Sequence, residues 1–448
     1  MMRQFFCRDE KGKDGMRVIL TAHNQFRLVQ QRLIELQEVM GLSANDIIIV
    51  DNASEDGLAA WLGSQTIYSY LICDEGMETY AKIMNTAIAE FTEGEDIFCY
   101  TPDYQLQAGM LKEMENLLYS KEEIAAVSPA VVVEETEISS FFSEERADKN
   151  KMELAEGIVL MKYSAYKKIG KFDERLLSSN IAMKDFLFRG LCLGYKFMEC
   201  GKAYSFCPAK AAEVYLQDCD VTEQREILKE KWGMNYFNTK PNASLVELIK
   251  ADKNQEINIL EIGCDCGANL LEIRNCYPNA KLYGVEINEQ AAKIAGHIAE
   301  VKTGDIEERN LDFGDIKFDY ILFGDVLEHL KNPAAVIKYC KLLLKDDGGI
   351  AACIPNLMHY SVMRGLLNGN FTYSDRGLLD RTHIHFFTFK EIIRMFTQEG
   401  YVMETVGIRV GEMLPEDEAF VDRLMEISGD VERFMFCAVQ YEVTAVIK

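Results

Sequence analysis

The stretch LEIGCDCGANL, Leu260 to Leu270, closes an apolar run and opens a helical pattern. It reads as a strand, a glycine-containing turn and a helix, an arrangement that aims backbone amides at a ligand. Gly263 and Gly267 permit sharp bends and close ligand approach that a Cβ would resist. A dinucleotide fingerprint, G-x-G-x-x-G, sets its glycines closer together to meet a pyrophosphate. Here the order is Gly263-Cys264-Asp265-Cys266-Gly267, with Glu261 just before the turn. A carboxylate at that point repels a pyrophosphate and suits a ligand carrying an ammonium or a sulfonium. The C-x-C of Cys264 and Cys266 is also a fragment of a metal site, but no matching second pair accompanies it.

Further acids mark the ends of the strands that follow. AKLYGVEIN carries Glu286, nineteen positions after Gly267, where an acid is placed to accept hydrogen bonds from ribose hydroxyls. Asp305 in VKTGDIEE is placed to meet an adenine amino group, and FDYILFGDV carries Asp325 near its end. Carboxylates at several strand ends, without a phosphate cradle, favour S-adenosylmethionine over NAD. An NAD-dependent nucleotide-sugar oxidoreductase would require the glycine loop that is missing.

These residues resemble class I S-adenosylmethionine-dependent methyltransferases over about 256–448. LEIGCDCGANL is similar to their first motif, E-x-G-x-G-x-G, with Asp265 and Gly267 at its later positions and no glycine in the middle one. The resemblance implies a Rossmann-like fold in which Glu261, Gly263, Asp265, Gly267, Glu286, Asp305 and Asp325 surround the cofactor. It also implies a last, antiparallel strand, supplied by FMFCAVQYEVTAVIK.

Methyl transfer needs an aligned nucleophile and usually a base to remove its proton. The chain has six histidines. Two are base or orienting candidates: His329 in GDVLEHL, and His383 in LLDRTHIHFFT, a segment that recurs as a substrate cap in related methyltransferases. Asp325, Glu328 and His329 also resemble a D/E-x-x-E-H pattern that binds divalent metal in some methyltransferases. On a helix these positions share a face, though a solvated helix start explains the acids equally well.

An earlier part of the chain alternates short strands and helices in the same way: MRVILTAHN with a helix from Arg27 to Met40, DIIIVDNAS, a helix near Tyr80 to Glu90, and DIFCYTPD. With GIVLMKYSAYKKIGKFDERL these resemble family-2-type glycosyltransferases of the GT-A fold over about 16–210. The resemblance implies that Asp51 recognises a nucleotide base. It further implies that Asp103, the one acid left of a D-x-D element, holds Mn²⁺ or Mg²⁺ on a sugar-diphosphate. Where the family carries an E-D pair, this chain has Ala182 and Met183, leaving Asp185 as the candidate base.

The expected architecture is α/β in two domains: a GT-A-like domain over 1–210, a connecting helical region over 211–255 and a methyltransferase domain over 256–448. A length of 448 residues supports more than one core. The 48 Lys and Arg against 72 Asp and Glu give a net charge of −24, which repels nucleic acid and anionic lipid. The thirteen scattered cysteines, with Cys99, Cys192, Cys340 and Cys353 in apolar runs, fit a reducing compartment. The N-terminal stretch lacks an apolar core segment and no run has the length of a membrane span, so a cytoplasmic location is expected. The expected activity is methylation of a sugar hydroxyl or related small group in glycan assembly. The alternatives are an active nucleotide-sugar glycosyltransferase and a non-catalytic scaffold that binds a glycan or nucleotide-sugar.

Overall fold

The computed structural model describes residues 2–5, 15–73, 76–133, 146–208, 221–234 and 236–447. Most of the N-terminal stretch, residues 209–210 of the expected first domain and residues 211–220 of the connecting region lie outside these. The chain divides into two compact units, Met1–Thr239 and Lys240–Lys448. No helix among the described residues is long and apolar enough to cross a membrane.

The first unit is built on nine strands: β1 (Met2–Phe5), β2 (Met16–Ala22), β3 (Ile47–Asp51), β4 (Ser69–Cys73), β5 (Asp96–Tyr100), β6 (Ile124–Val132), β7 (Lys149–Asn150), β8 (Ile158–Met161) and β9 (Lys196–Phe206). Their order is β1-β4-β3-β2-β5-β8-β6-β9-β7. Strands β2 to β5 run parallel, and β8 is inserted antiparallel between β5 and β6. All five residues of β3 are buried, as expected of a strand covered on both faces. The helices Phe26–Glu38 and Tyr80–Phe91 fall close to their expected positions.

The second unit is a seven-stranded sheet: β10 (Asn258–Ile262), β11 (Lys281–Glu286), β12 (Glu300–Thr303), β13 (Phe318–Gly324), β14 (Leu344–Pro355), β15 (Tyr401–Val410) and β16 (Ala438–Ile447), in the order β12-β11-β10-β13-β14-β16-β15. The first five are parallel, and β16 is antiparallel to both β14 and β15. The FMFC that opens the expected last strand is instead a helical turn, Phe434–Cys437. Residues 240–255, expected in the connecting region, fold with this unit: Leu245, Val246, Leu248 and Ile249 join its core. Tyr283, Phe313 and Phe318 pack edge to face at 5.3–6.3 Å and anchor one side of the sheet. Cys99, Cys340 and Cys353 are buried as their apolar surroundings imply, but Cys192 is exposed at the end of its helix.

Asp185 departs from the role expected of it. It lies on the second turn of the helix Ser179–Cys192 and is 0% exposed. Arg189 Nε donates to its Oδ2 at 2.9 Å, while Lys231 Nζ, at 2.8 Å, and Trp232 Nε1, also at 2.8 Å, meet Oδ1. A carboxylate so engaged is poorly placed to take a proton; it fastens the helix Val221–Trp232 to its own. Replacing Asp185 by Ala leaves Lys231 its partner Asp173 and Arg189 its carbonyl partners Ile169 and Lys171, but removes the acceptor of the Trp232 indole N–H and one partner of each cation, and should cost roughly 2–3 kcal/mol. Urea unfolding of the full chain checks this. An unchanged midpoint for the N-terminal unit would show that the carboxylate carries no structural load.

Candidate functional site

In the second unit, the parallel strands deliver acids to one edge of the sheet. Glu261 and Glu286 lie on adjacent strands β10 and β11, Asp305 follows β12, and Asp325 follows β13. Between β10 and the helix Ala268–Cys276, the chain turns through three left-handed residues, Gly263 (φ 70), Asp265 (φ 47) and Gly267 (φ 92). At Gly263 the reason for glycine is also steric, because a Cβ would stand 2.6 Å from Val326 Cγ2.

The Glu286 carboxylate fixes this turn. Its Oε2 accepts from Asp265 N–H at 2.9 Å, and its Oε1 accepts from Asn288 N–H at 2.8 Å. Burial raises its pKa, and the two amides oppose that rise. Glu261 is 1% exposed; Asn269 Nδ2 donates to its Oε1 at 2.6 Å, while its Oε2 has no hydrogen-bond partner. Burial pushes its pKa up to about 8. Asn269 in turn accepts from Asn242 N–H at 2.6 Å, a link invisible in the sequence because it joins segments 27 residues apart. The thiols of Cys264 and Cys266 are buried and driven upward by desolvation. Neither belongs to a cluster of potential metal ligands among the described residues. Asp305 caps a short turn, accepting from Glu307 N–H at 2.8 Å.

The D-x-x-E-H segment is not a helix but a single 3-10 turn, Leu327–His329, so its three residues do not share a helical face. Asp325 adopts a left-handed conformation (φ 56) and accepts a hydrogen bond from Gln440 on β16. Glu328 and His329 instead meet His383 from the cap segment. One ligand atom from each of the three lies within 4.8 Å of the others. Glu328 is 1% exposed with neither oxygen hydrogen-bonded, and burial raises its pKa well above the usual range. His383 Nε2 is 3.9 Å from Glu328 Oε1. Burial, aided by the nearby His329, lowers the His383 pKa. The two imidazoles meet edge to face at 4.8 Å.

The exposed His329 ring has its Nδ1 at 3.1 Å from the Thr382 carbonyl oxygen. A carbonyl only accepts, so Nδ1 carries the hydrogen and the neutral ring keeps its lone pair on Nε2. The backbone supports this contact: Ile384 and His385 N–H both donate to the Glu328 carbonyl at 3.0 Å. A further histidine, His359, not singled out by sequence, is buried beside Ser361 with its pKa pushed down to about 4. It caps the helix Tyr360–Leu367.

In the first unit, Asp51 ends β3, fully buried; its Oδ1 accepts from Ser54 N–H at 3.0 Å, and its Oδ2 has no hydrogen-bond partner. Asp103, in the turn after β5, accepts from Gln25 Nε2 on both oxygens at 2.9 Å. Neither acid joins a group of three potential metal ligands among the described residues.

Residues 234–406 match the family model described as a methyltransferase domain. The ubiquinone biosynthesis O-methyltransferase of Glaesserella parasuis is 29% identical over 147 residues, covering 29% of this chain and 61% of that protein. Its counterpart from Actinobacillus pleuropneumoniae is 29% identical over 100 residues, covering 20% and 42%. The chain thus spans about half the length of the curated relatives it matches. Among solved structures, a SAM-dependent methyltransferase from Archaeoglobus fulgidus is 18% identical, with a TM-score of 0.34, covering 49% of this chain and 98% of that one. The family match places a methyltransferase domain over residues 234–406 of the chain.

Proposed function

We propose that this protein transfers a methyl group from S-adenosylmethionine to a hydroxyl oxygen of a small acceptor, a sugar or a related group in glycan assembly. The observation that carries the cofactor reading is the Gly263–Gly267 turn, pinned by Glu286 and backed by the buried, half-unpartnered Glu261. Those features fit the group: the left-handed turn brings the strand-end acids together, and the orphaned Glu261 oxygen suits a cationic ligand. Glu261 would face the cationic part, Glu286 the ribose hydroxyls and Asp305 the adenine amino group, with Gly263, Asp265, Gly267 and Asp325 lining the crevice. When bound, the cofactor supplies an electrophilic methyl group.

The chain's own contribution to the transfer is a proton acceptor. His329 is poised for this by its tautomer, with Nε2 free to take the acceptor's hydroxyl proton. His383, kept neutral by burial, orients it through the ring contact. A second reading rests on the proximity of Glu328, His329 and His383, whose ligand atoms could hold a divalent cation that orients the acceptor. The choice of a hydroxyl oxygen is supported by the O-methyltransferase relatives. The sugar follows only from the glycosyltransferase-like reading of the first unit, in which Asp51 would contact a nucleotide base and Asp103 the diphosphate, through Mn²⁺ or Mg²⁺. That link is an analogy between folds.

Calorimetric titration with S-adenosylhomocysteine tests the cofactor site. Glu286→Ala should weaken binding by at least about tenfold, about 1.4 kcal/mol, and an unchanged Kd removes Glu286 from the site. Below pH 8 the Glu261 carboxyl of the free protein is largely protonated. A cation placed beside it favours the carboxylate, so binding releases a proton at pH 7 and tightens as pH rises toward about 8. Titrations in buffers of different ionisation enthalpy should detect that proton, and Glu261→Gln should abolish it. At the second cluster, His329→Ala should lower turnover by about 10²-fold while leaving cofactor affinity intact. Loss of turnover on adding EDTA, restored by Mg²⁺, would select the cation reading over the proton-acceptor one.

A further inference from the structure

Asn269 is the second residue of the helix Ala268–Cys276, and its side-chain amide joins two other segments. Its Nδ2 donates to Glu261 Oε1 on β10 at 2.6 Å, and its Oδ1 accepts from the Asn242 N–H at 2.6 Å. Asn242 is itself held in place. Its side chain caps the helix Ala243–Glu247 by accepting from Leu245 N–H at 3.3 Å, and Leu245 is fully buried. A Cβ on Gly324, at the end of β13, would stand 3.0 Å from Leu245 Cδ2 and 3.6 Å from Asn269 Nδ2, so strand, cap and amide pack together.

This arrangement fixes which way the Asn269 amide points. A backbone N–H only donates, so the atom facing Asn242 is the carbonyl oxygen and the NH2 faces Glu261. An amide turned the other way would present an acceptor to Glu261 and favour its protonated form. As it stands, the amide donates to Oε1 and favours the carboxylate. A proton on the neutral group is then left to Oε2, which has no hydrogen-bond partner. The charged neighbours of Glu261 work against ionisation: Asp265 in the turn and Glu286 on β11 are both acids. The buried Cys264 thiol adds no charge, β11 and β13 set Gly284 and Leu322 opposite Glu261, and the segment before β10 brings the Asn242 amide. Asn269 is the donor that opposes the two acids.

We propose that Asn269, oriented by the Asn242 amide, is a positioning residue for the cofactor, holding Glu261 so that Oε2 exchanges its proton for the cationic group of the ligand. This rests on the cofactor reading of the Gly263–Gly267 turn. Asn269 acts through Glu261 and need not touch the ligand. Below its pKa, Glu261 must lose a proton before the cation can pair with it. A change that raises that pKa therefore weakens binding at low pH and leaves it intact at high pH. A residue that merely shaped the turn would weaken binding equally at every pH.

The test titrates the full chain with S-adenosylmethionine, whose sulfonium keeps its charge throughout, in a calorimeter from about pH 6 to about pH 9. Asn269→Ala removes the donor, so the pH at which affinity levels off should rise by about one unit from about 8. Its Kd should be about tenfold weaker than wild type at pH 7 and within about twofold near pH 9, which also shows that the variant is folded. Asn242→Pro deletes the N–H at a φ of −80 that proline tolerates, and should shift the profile in the same direction. Asn242→Ala keeps the N–H, loses only the helix cap, and should leave the profile where it is. A loss by the same factor at every pH in Asn269→Ala, or an unchanged Kd, overturns the positioning role and leaves the cofactor reading standing. Equal effects of Asn242→Ala and Asn242→Pro overturn the part given to the Asn242 amide. Wild type that does not bind, or binds equally at every pH, overturns the assignment of Glu261 and the proposal with it.

Discussion

The Glu286 carboxylate bridges two loops that the chain would otherwise leave independent. One oxygen holds the amide of Asp265 in the turn after β10, the other the amide of Asn288 in the turn after β11. Hydrogen bonds to an ionised partner contribute about 1.5–3 kcal/mol each, enough to offset the cost of a left-handed, non-glycine Asp265. The bridge also explains why the acid closes β11. The two strands are parallel neighbours in register, Glu261 opposite Gly284, so a residue two positions further along β11 reaches the turn beyond β10. Gly284 completes the fit, since a Cβ there would stand 2.6 Å from Cys264 Sγ.

Around that bridge the edge of the sheet collects acids whose surroundings differ. Glu261 is buried with one amide donor, Asn269, and desolvation raises its pKa to about 8. Asp305 spends an oxygen on its own turn. Asp325 is directed toward Gln440, so the antiparallel β16 takes part in shaping the crevice although its strand lies two places from β13. An edge of this composition is strained by its own charge and is relieved by a proton or by a cation. On electrostatic grounds such an edge favours a cation over a pyrophosphate.

The features legible in sequence are those that depend on neighbours in the chain. The strand–turn–helix at Leu260–Leu270, with its glycines and strand-end acids, could be read because each element fixes the next within a few residues. What could not be read depends on distant partners. Asp185 looked available because Lys231 and Trp232 arrive from a helix more than forty positions on. Asp325, Glu328 and His329 looked like a helical face because their spacing matches one; a 3-10 turn and a left-handed Asp325 separate them, and His383 fills the gap from 54 positions downstream. Cys192 sits in an apolar run that includes the exposed end of a helix, so hydrophobic company did not imply burial.

The Glu328–His329–His383 cluster shows how burial alone constrains chemistry. Glu328 has no hydrogen-bond donor and 1% exposure, so it cannot stay ionised without a positive partner. The obvious partner is His383, 3.9 Å away, but burial disfavours its imidazolium as well. Two neutral groups are therefore left side by side, with the solvent-facing His329 carrying the accessible lone pair. Charge enters this cluster only from outside it, as a cation that restores the carboxylate. The segment that bears His383 is tied to the Glu328 carbonyl by the amides of Ile384 and His385, which keeps the two imidazoles and the carboxyl together.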